Sequence, residues 1–226
     1  MIAVELHSRT TFGVDPDRVN MPQSLVTAVR RRVAGRYPLD AFGLDAQLSD
    51  LMAPLLRGVI KVSVAGDEHI PSRGPAVLVM NRGFGVFEPA ALTVAVMNAC
   101  GRRARVVGAP GVWGVGAALR RIGAIAASVA DVTSALNEGH LVVVPLAPTW
   151  LSATAGSPPL ELLQACMGVP VHPVSVRAAG PLNTALNGWR IAVGPAIEAD
   201  PAIAPGDPLG AAELTESIRN AVDNLL

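Results

Sequence analysis

Apolar positions along the chain follow two periods, one typical of amphipathic helices and one typical of buried strands. Stripes at helical spacing predict helices around 25–33, 48–56 and 214–225. Short, nearly continuous apolar runs predict strands at 59–65, 76–80, 105–107, 123–127, 140–144, 171–176 and 189–193. Between these strands, further helices are predicted from Pro89 to about Cys100, through 119–121, over 131–137 and over 160–167.

The order of these elements predicts the architecture. Strands that alternate with helices are typical of an α/β protein with a mostly parallel or mixed sheet flanked by helices. The first strand begins only near residue 59, so residues 1–57 are predicted to form a helical segment ahead of the sheet. Residues 58–226 are then expected to form a single globular α/β domain, and the sequence contains no internal repeat or linker that would divide them.

Composition narrows the class of protein. Hydrophobic residues make up 50% of the 226 residues and charged residues 16%, against about 25% charged residues in an average soluble domain. This balance excludes general disorder, which requires the opposite composition. Eighteen basic residues match eighteen acidic ones, and a nucleic-acid-binding protein would normally be basic, so no nucleic-acid partner is expected.

The two cysteines and the longest uncharged stretch predict where the protein resides. Cys100 and Cys166 form neither a disulfide framework nor a metal site by themselves, and are expected to be small buried residues in a reducing compartment. The uncharged stretch 141–160 contains four prolines, so it predicts a strand followed by a loop rather than a membrane-spanning helix. A cytoplasmic location follows as the expectation.

The first predicted helix carries a cluster of cations beside its apolar stripe. These are Arg30, Arg31, Arg32 and Arg36. They form either a solvated helix face or a surface that docks on anionic lipid headgroups. The second alternative would make the protein peripheral on the inner face of the membrane.

Six blocks of sequence, in this order, resemble the glycerolipid (lysophospholipid) acyltransferase family, which includes the 1-acylglycerol-3-phosphate acyltransferases. The blocks are 62–71, 74–81, 119–125, 134–145, 169–176 and 189–197. The resemblance implies the glycerolipid acyltransferase fold, with no metal or prosthetic group. It also implies transfer of a fatty acyl group from acyl-CoA or acyl-carrier protein to a hydroxyl group of a lysophospholipid or similar lipid.

The catalytic loop departs from the family pattern. Active members carry an N-H-x-x-x-x-D loop, in which the histidine takes a proton from the acceptor hydroxyl and the aspartate orients the histidine. Here Asn81 is followed by Arg82 and Gly83, the aspartate position holds Phe87, and Glu88 follows one residue later. A guanidinium group stays protonated, so Arg82 cannot act as a general base.

Two further positions implied by the resemblance have also changed. The family block "FPEGT" corresponds to 144–149, where Leu146 replaces the glutamate and Ala147 replaces the glycine. The arginine that often follows the block at 119–125 is absent from 126–128. The substrate-binding positions carried over from the family are Asn81, Arg82, Gly83, Arg120, Arg121, Pro145 and Thr149.

Several roles remain open for the polar residues of the site. Arg82 and Glu88 form a structural ion pair, or Arg82 binds an anionic headgroup, or Glu88 is the base of a rebuilt site. His172 is a second candidate base if its strand face borders a cavity, whereas a histidine on an apolar strand is more often a core residue. Basic residues at 102, 103, 105, 120 and 121 either cradle a phosphate or form ordinary surface charge.

Three functions follow as hypotheses. The first is a catalytically degenerate acyltransferase-like protein that binds lipid or an acyl chain at a membrane surface, or binds a partner acyltransferase. The second is an active O-acyltransferase with altered catalytic residues, with Glu88 or His172 as the base and loop amides holding the oxyanion. The third is a scaffold whose apolar surface is a protein interface.

Overall fold

A computed structural model describes residues 30, 38–81, 87–108, 115–146, 162–163, 166, 168–180, 188–197 and 207–225. The described helices are α1 (Ala46–Val59), α2 (Phe87–Cys100), α3 (Val115–Arg121), α4 (Val129–Asn137) and α5 (Pro208–Asn224). The strands are β1 (Val62–Ala65), β2 (Ala76–Met80), β3 (Ala104–Val107), β4 (Ala124–Ile125), β5 (Leu141–Pro145), β6 (Val171–Ala178) and β7 (Trp189–Val193). A 3₁₀ turn, Asp67–His69, follows β1.

The strands form a seven-stranded, mostly parallel sheet in the order β1-β7-β6-β2-β5-β3-β4. Five strands, β6, β2, β5, β3 and β4, run in the same direction, and the antiparallel pairing of β6 with β7 reverses the direction of β7 and β1. The predicted α/β class with a mixed, mostly parallel sheet flanked by helices is confirmed. In open sheets of this kind, ligands bind outside the carboxyl ends of the parallel strands.

Each face of the sheet is covered by helices and has its own core. On one face, α1 and α2 pack on side chains such as Leu78, Val143 and Ile191. On the other face, α4 and α5 pack on side chains such as Val77 and Val142. Because β2 and β5 are buried on both faces, their sequences are continuous apolar runs rather than alternating ones.

The boundary between the first described helix and the first strand differs from the prediction. The sequence predicts a strand from Val59, but α1 continues through Val59 and β1 begins at Val62. The reason is that Val59 lies three residues after Leu56 and four after Leu55, which continues the helical stripe. The division of the chain at residue 57 stays a prediction.

Some expectations concern residues at the margin of the described part. Arg30 is helical and exposed, whereas Arg31, Arg32 and Arg36 lie outside the described residues. Cys166 is fully buried and Cys100 is half-buried, and burial raises the pKa of the Cys166 thiol to about 12. Among the described helices, none combines the length and apolar character that crossing a bilayer requires.

Candidate functional site: the carboxyl edge of the parallel strands

Asn81 fixes the start of the loop that corresponds in sequence to the family's catalytic loop. It directly follows β2, and its backbone N–H donates to the carbonyl of Val174 at 3.1 Å. Its side-chain Oδ1 accepts from the N–H of Val176 at 2.7 Å, and its Nδ2 donates to the carbonyl of Val176 at 3.1 Å. The side chain therefore extends the pairing of β2 with β6 by one step, so these contacts fix where the loop begins. The substrate-binding role of Asn81 stays a prediction.

Glu88 lies in the first turn of α2, at the other end of this loop. Its side chain is only 4% exposed, which is unusual for a carboxylate. The amino terminus of a helix carries partial positive charge, and this favours an anion at that position. Arg82 and Gly83 lie outside the described residues, so the alternatives for Arg82 stay as the sequence left them.

Pro145 ends β5 beside the last residue of β2. It pairs in register with Met80 of β2, and the N–H of Leu146 donates to the carbonyl of Met80 at 2.9 Å. Asn81, Glu88 and Pro145 are thus brought to one edge of the sheet, and the roles of Glu88 and Pro145 stay predictions. Thr149 lies outside the described residues.

An apolar pocket of about 160 Å³ begins at this edge. Its walls come from α1, α2, β3 and the segment around β4. Met80, Pro145 and Gly108 line it at the carboxyl edge, and Ala104 and Gly123 line it near the opposite edge. Since Ala104 and Gly108 bracket β3, the pocket runs beside that strand for roughly 13 Å.

The pocket offers hydrocarbon contacts almost throughout. Its lining contains two residues with polar side chains, Ser49 and Thr93. The hydroxyl of Thr93 already donates to the carbonyl of Pro89 at 2.9 Å. A polar molecule inside the pocket would therefore lose its hydrogen bonds to water and find few replacements. An apolar chain loses nothing of this kind, so the pocket suits such a chain.

The arginines at the start of β3 do not lie on the surface, as one alternative supposed. Arg102, Arg103 and Arg105 are all buried. Arg102 donates to the carbonyls of Pro71 at 2.9 Å and Gly139 at 3.0 Å. They lie where β3 begins, at the edge opposite Asn81 and Glu88.

Two of these buried arginines form ion pairs with the segment that precedes the sheet, one with a buried carboxylate and one with the exposed carboxylate of Asp40. Arg103 pairs with Asp50, and Arg105 pairs with Asp40. Arg105 also lies 3.4 Å from Nε2 of His140. Their guanidinium groups are therefore directed at protein groups rather than towards the pocket, which argues against the phosphate-cradle alternative. Sequence reasoning missed both pairs, although the isolated acidic residues Asp40 and Asp50 were a signal.

Arg120 and Arg121 also lie away from the catalytic loop. Both are exposed at the end of α3, just before β4 begins. The carbonyl of Arg121 accepts from the N–H of Asp45 at 3.1 Å, which joins α3 to the start of α1. The structure thus does not bring these two residues to the edge that holds Asn81 and Glu88. Their substrate-binding role stays a prediction.

His172 is buried near the opposite end of β6. It pairs in register with Leu78 of β2, and its Nδ1 lies 3.2 Å from the carbonyl of Gly194. Burial lowers the pKa of the imidazole, while the hydrogen bond to Gly194 acts in the other direction. His172 therefore does not share an edge with Glu88, and its neighbourhood favours the alternative of a core histidine. A role for it as base stays a prediction.

The described residues offer no preformed metal centre. Within them, no three or more histidine, cysteine, aspartate or glutamate side chains are grouped so that they could hold a metal ion. The chemistry available at the described edge of the sheet therefore comes from one buried carboxylate, the amide of Asn81 and an apolar pocket.

No protein-family model matches the sequence, and no curated protein matches it either. Among solved structures, the fold is similar to the crystal structure of the 1-acyl-sn-glycerophosphate (LPA) acyltransferase PlsC from Thermotoga maritima. The two chains are 15% identical, and the superposition covers 79% of this chain and 76% of the other, with a TM-score of 0.47. At this level the likeness concerns the arrangement of helices and strands, and it carries no statement about activity.

Proposed function

We propose that this chain is an acyltransferase-like protein that binds the hydrocarbon chain of a lipid and has lost the general base of its catalytic loop. The observation that carries the proposal is the apolar pocket that begins at the carboxyl edge of the sheet, the edge at which Asn81 follows β2. The six sequence blocks that resemble the glycerolipid acyltransferases support the same ligand class.

The size and lining of the pocket suit a hydrocarbon. An engineered apolar cavity of about 150 Å³ stays dry and binds benzene, and this pocket has about 160 Å³. Each methylene moved from water into such a site contributes about 0.8 kcal/mol. Several methylenes of one chain, lying along β3, would together give useful affinity without a polar anchor.

The loop chemistry supports binding rather than turnover. A hydroxyl acceptor must lose a proton as it attacks a thioester, and a positioned base normally takes that proton. Arg82 stands where the family has its histidine, and its guanidinium holds its proton at any physiological pH. Arginine does suit an anionic headgroup, because its planar donors match phosphate or carboxylate oxygens.

The helix that the sequence predicts at 25–33, with its cluster of arginines, supports a place at a membrane surface. Arg30 is helical and exposed. It and the cations next to it in sequence would be attracted to anionic lipid headgroups. Under this proposal the protein is cytoplasmic, is peripheral on the inner face of the membrane, and takes its ligand from the bilayer or from a partner acyltransferase.

A retained activity is the second candidate, and the burial of Glu88 favours it. Glu88 is a buried carboxylate that directly precedes Pro89, a residue of the pocket lining, and a carboxylate at this position is a candidate to take the proton of an acceptor hydroxyl. In this case, Glu88→Gln would abolish transfer from acyl-CoA to a lysophospholipid. Unchanged transfer by that variant would remove Glu88 from the mechanism.

The direct test is mass spectrometry of small molecules extracted from the natively purified protein. We expect molecules with long hydrocarbon chains in near-stoichiometric amount, and flotation of the protein with vesicles that contain anionic phospholipid. The absence of both retained lipid and flotation would contradict the proposal. That result would favour a protein-interaction scaffold instead.

A further inference from the structure

Helix α1 forms the outer wall of the pocket. Its residues Ser49, Met52, Ala53 and Leu56 line the pocket, opposite side chains of β3 and α2. The sheet and α2 form inner walls that belong to the buried core of that face, and Leu119 and Ile122, before β4, complete the lining. Two routes into this pocket are therefore the gap between α1 and these inner walls and the carboxyl edge of the sheet.

Helix α1 buries far fewer of its residues than α2 does. Two of its fourteen residues, Asp50 and Ala53, are buried, whereas α2 buries seven of its fourteen. Leu55 and Val59 in its last turns are 58% and 49% exposed. Helices that bury few apolar contacts open at lower free energy than core helices, so α1 can move at lower cost than α2.

A proline near the middle of α1 weakens its hydrogen-bond ladder. Pro54 lies inside the helix and has no N–H to donate to the carbonyl of Asp50. Such positions are where helices bend. The interruption therefore falls at the part of α1 that lines the pocket, between Ala53 and Leu56.

Polar contacts hold α1 against the inner walls. Asp50 forms a buried ion pair with Arg103, which directly precedes β3. Arg57 donates from Nη2 to the carbonyl of Met97 in α2 at 3.0 Å. A buried ion pair adds little net stability, because desolvation offsets the attraction, but it holds two elements in one arrangement.

We propose that α1 is the gate of the pocket and that the Asp50–Arg103 ion pair is its latch. The gate moves away from β3 and α2 to admit or release an apolar chain, and closes when the ion pair re-forms. This inference rests on the proposed function, in that the chain is a ligand of the pocket. The family resemblance does not imply this role for α1. The proposal predicts changes in the rates of ligand binding and release rather than in Kd.

The test combines ligand kinetics with hydrogen exchange on the full chain. The probe is dansyl-undecanoate, with association and dissociation followed by stopped-flow fluorescence. Asp50→Asn keeps the shape of the side chain but removes its charge, and hydrogen bonds to charged groups contribute more than neutral ones. We expect both rates to rise roughly tenfold with little change in Kd, because the open state becomes more populated.

Two further variants keep the test decisive. The double change Asp50→Leu with Arg103→Met replaces the ion pair by apolar contacts, a type of exchange that is often neutral or stabilising. It should fold and slow both rates below those of the native protein. Glu216→Gln removes an exposed ion pair with Arg219 on α5, and as the matched control it should leave both rates unchanged.

Hydrogen exchange decides the gate without a ligand. In the ligand-free protein, amides of 46–59 should exchange faster than those of 87–100, and Asp50→Asn should accelerate 46–59 selectively. The proposed gate would be wrong if the amides of the two helices exchanged at equal rates. It would also be wrong if the association and dissociation rates of the probe were the same in the latch variants as in the native protein. Failure of the native protein to bind the probe would instead overturn the proposed function, whatever the exchange shows.

Discussion

Filling the pocket from the strand side separates a ligand site from ordinary core packing. Ala104 of β3 is buried and lines the pocket, whereas Ala76 of β2 is equally buried in the same core but does not line it. Ala104→Leu and Ala76→Leu therefore add the same three carbons to strand alanines of one core. They differ in whether an empty volume receives those carbons.

The magnitudes follow from the volume available. At Ala104 the leucine occupies space that a ligand chain would otherwise fill. Three lost carbon groups at about 0.8 kcal/mol each give about 2.4 kcal/mol, or roughly a 50-fold rise in Kd. At Ala76 there is no such space, and overpacking typically costs about 1–3 kcal/mol of stability.

Two assays read these effects. Fluorescence titration with dansyl-undecanoate measures Kd, and urea unfolding measures the free energy of unfolding. We expect Ala104→Leu to weaken binding and to keep native stability, and Ala76→Leu to lose stability while the folded fraction keeps its Kd. Native affinity in Ala104→Leu, or the same loss of stability in both variants, would show that the pocket is not the binding site.

Three further predictions concern stability. Burial lowers the pKa of His172 from 6.5, so below that pH the unfolded chain binds a proton that the native state does not bind. The free energy of unfolding should therefore fall as the pH drops below 6.5. In a pH series of urea titrations, His172→Gln should flatten that part of the curve. Asn81→Ala should cost about 1–3 kcal/mol in the same titrations, because it leaves the N–H of Val176 without its acceptor, and native stability would refute the anchoring role. Gly66→Ala should lower the melting temperature more than Gly74→Ala: both glycines have positive φ (72° and 75°), but a Cβ at Gly66 would lie 2.1 Å from the carbonyl oxygen of Val193, while nothing lies within 4 Å at Gly74. Equal shifts would contradict this packing.

Much of the fold could be predicted because local patterns and tertiary structure agree. The runs at 76–80 and 189–193 coincide with β2 and β7 as the structure has them. Helix α2 was predicted from Pro89 and begins two residues earlier. A strand buried on both faces must be continuously apolar, so a continuous apolar run in the sequence indicates a central strand of the sheet.

The partners of the buried charges could not be predicted. Arg103 and Asp50 are 53 residues apart in sequence, and Arg105 and Asp40 are 65 apart. No local periodicity connects such pairs, because they meet only after α1 and β3 have taken their places. From the sequence alone, the arginines at the start of β3 were therefore indistinguishable from surface charge. Their buried positions and their partners are seen only in the folded structure.

The separation of the two edges was equally hidden from the sequence. His172 belongs to an apolar strand face, and that face does carry other buried residues such as Val174 and Val176. Which end of the strand lies beside Glu88 depends on the direction of β6 in the sheet. Only the register of β6 with β2 places His172 at Leu78 and away from the carboxyl edge.

The most direct test of the account is the release of free thiol from an acyl-CoA in the presence of a lysophospholipid acceptor. In the sequence, Arg82 takes the position of the family's catalytic histidine, so under the proposed function the purified protein should bind the acyl chain and release thiol no faster than a protein-free control. Thiol release well above that control, abolished by Glu88→Gln, would contradict the loss of catalysis and establish an active acyltransferase.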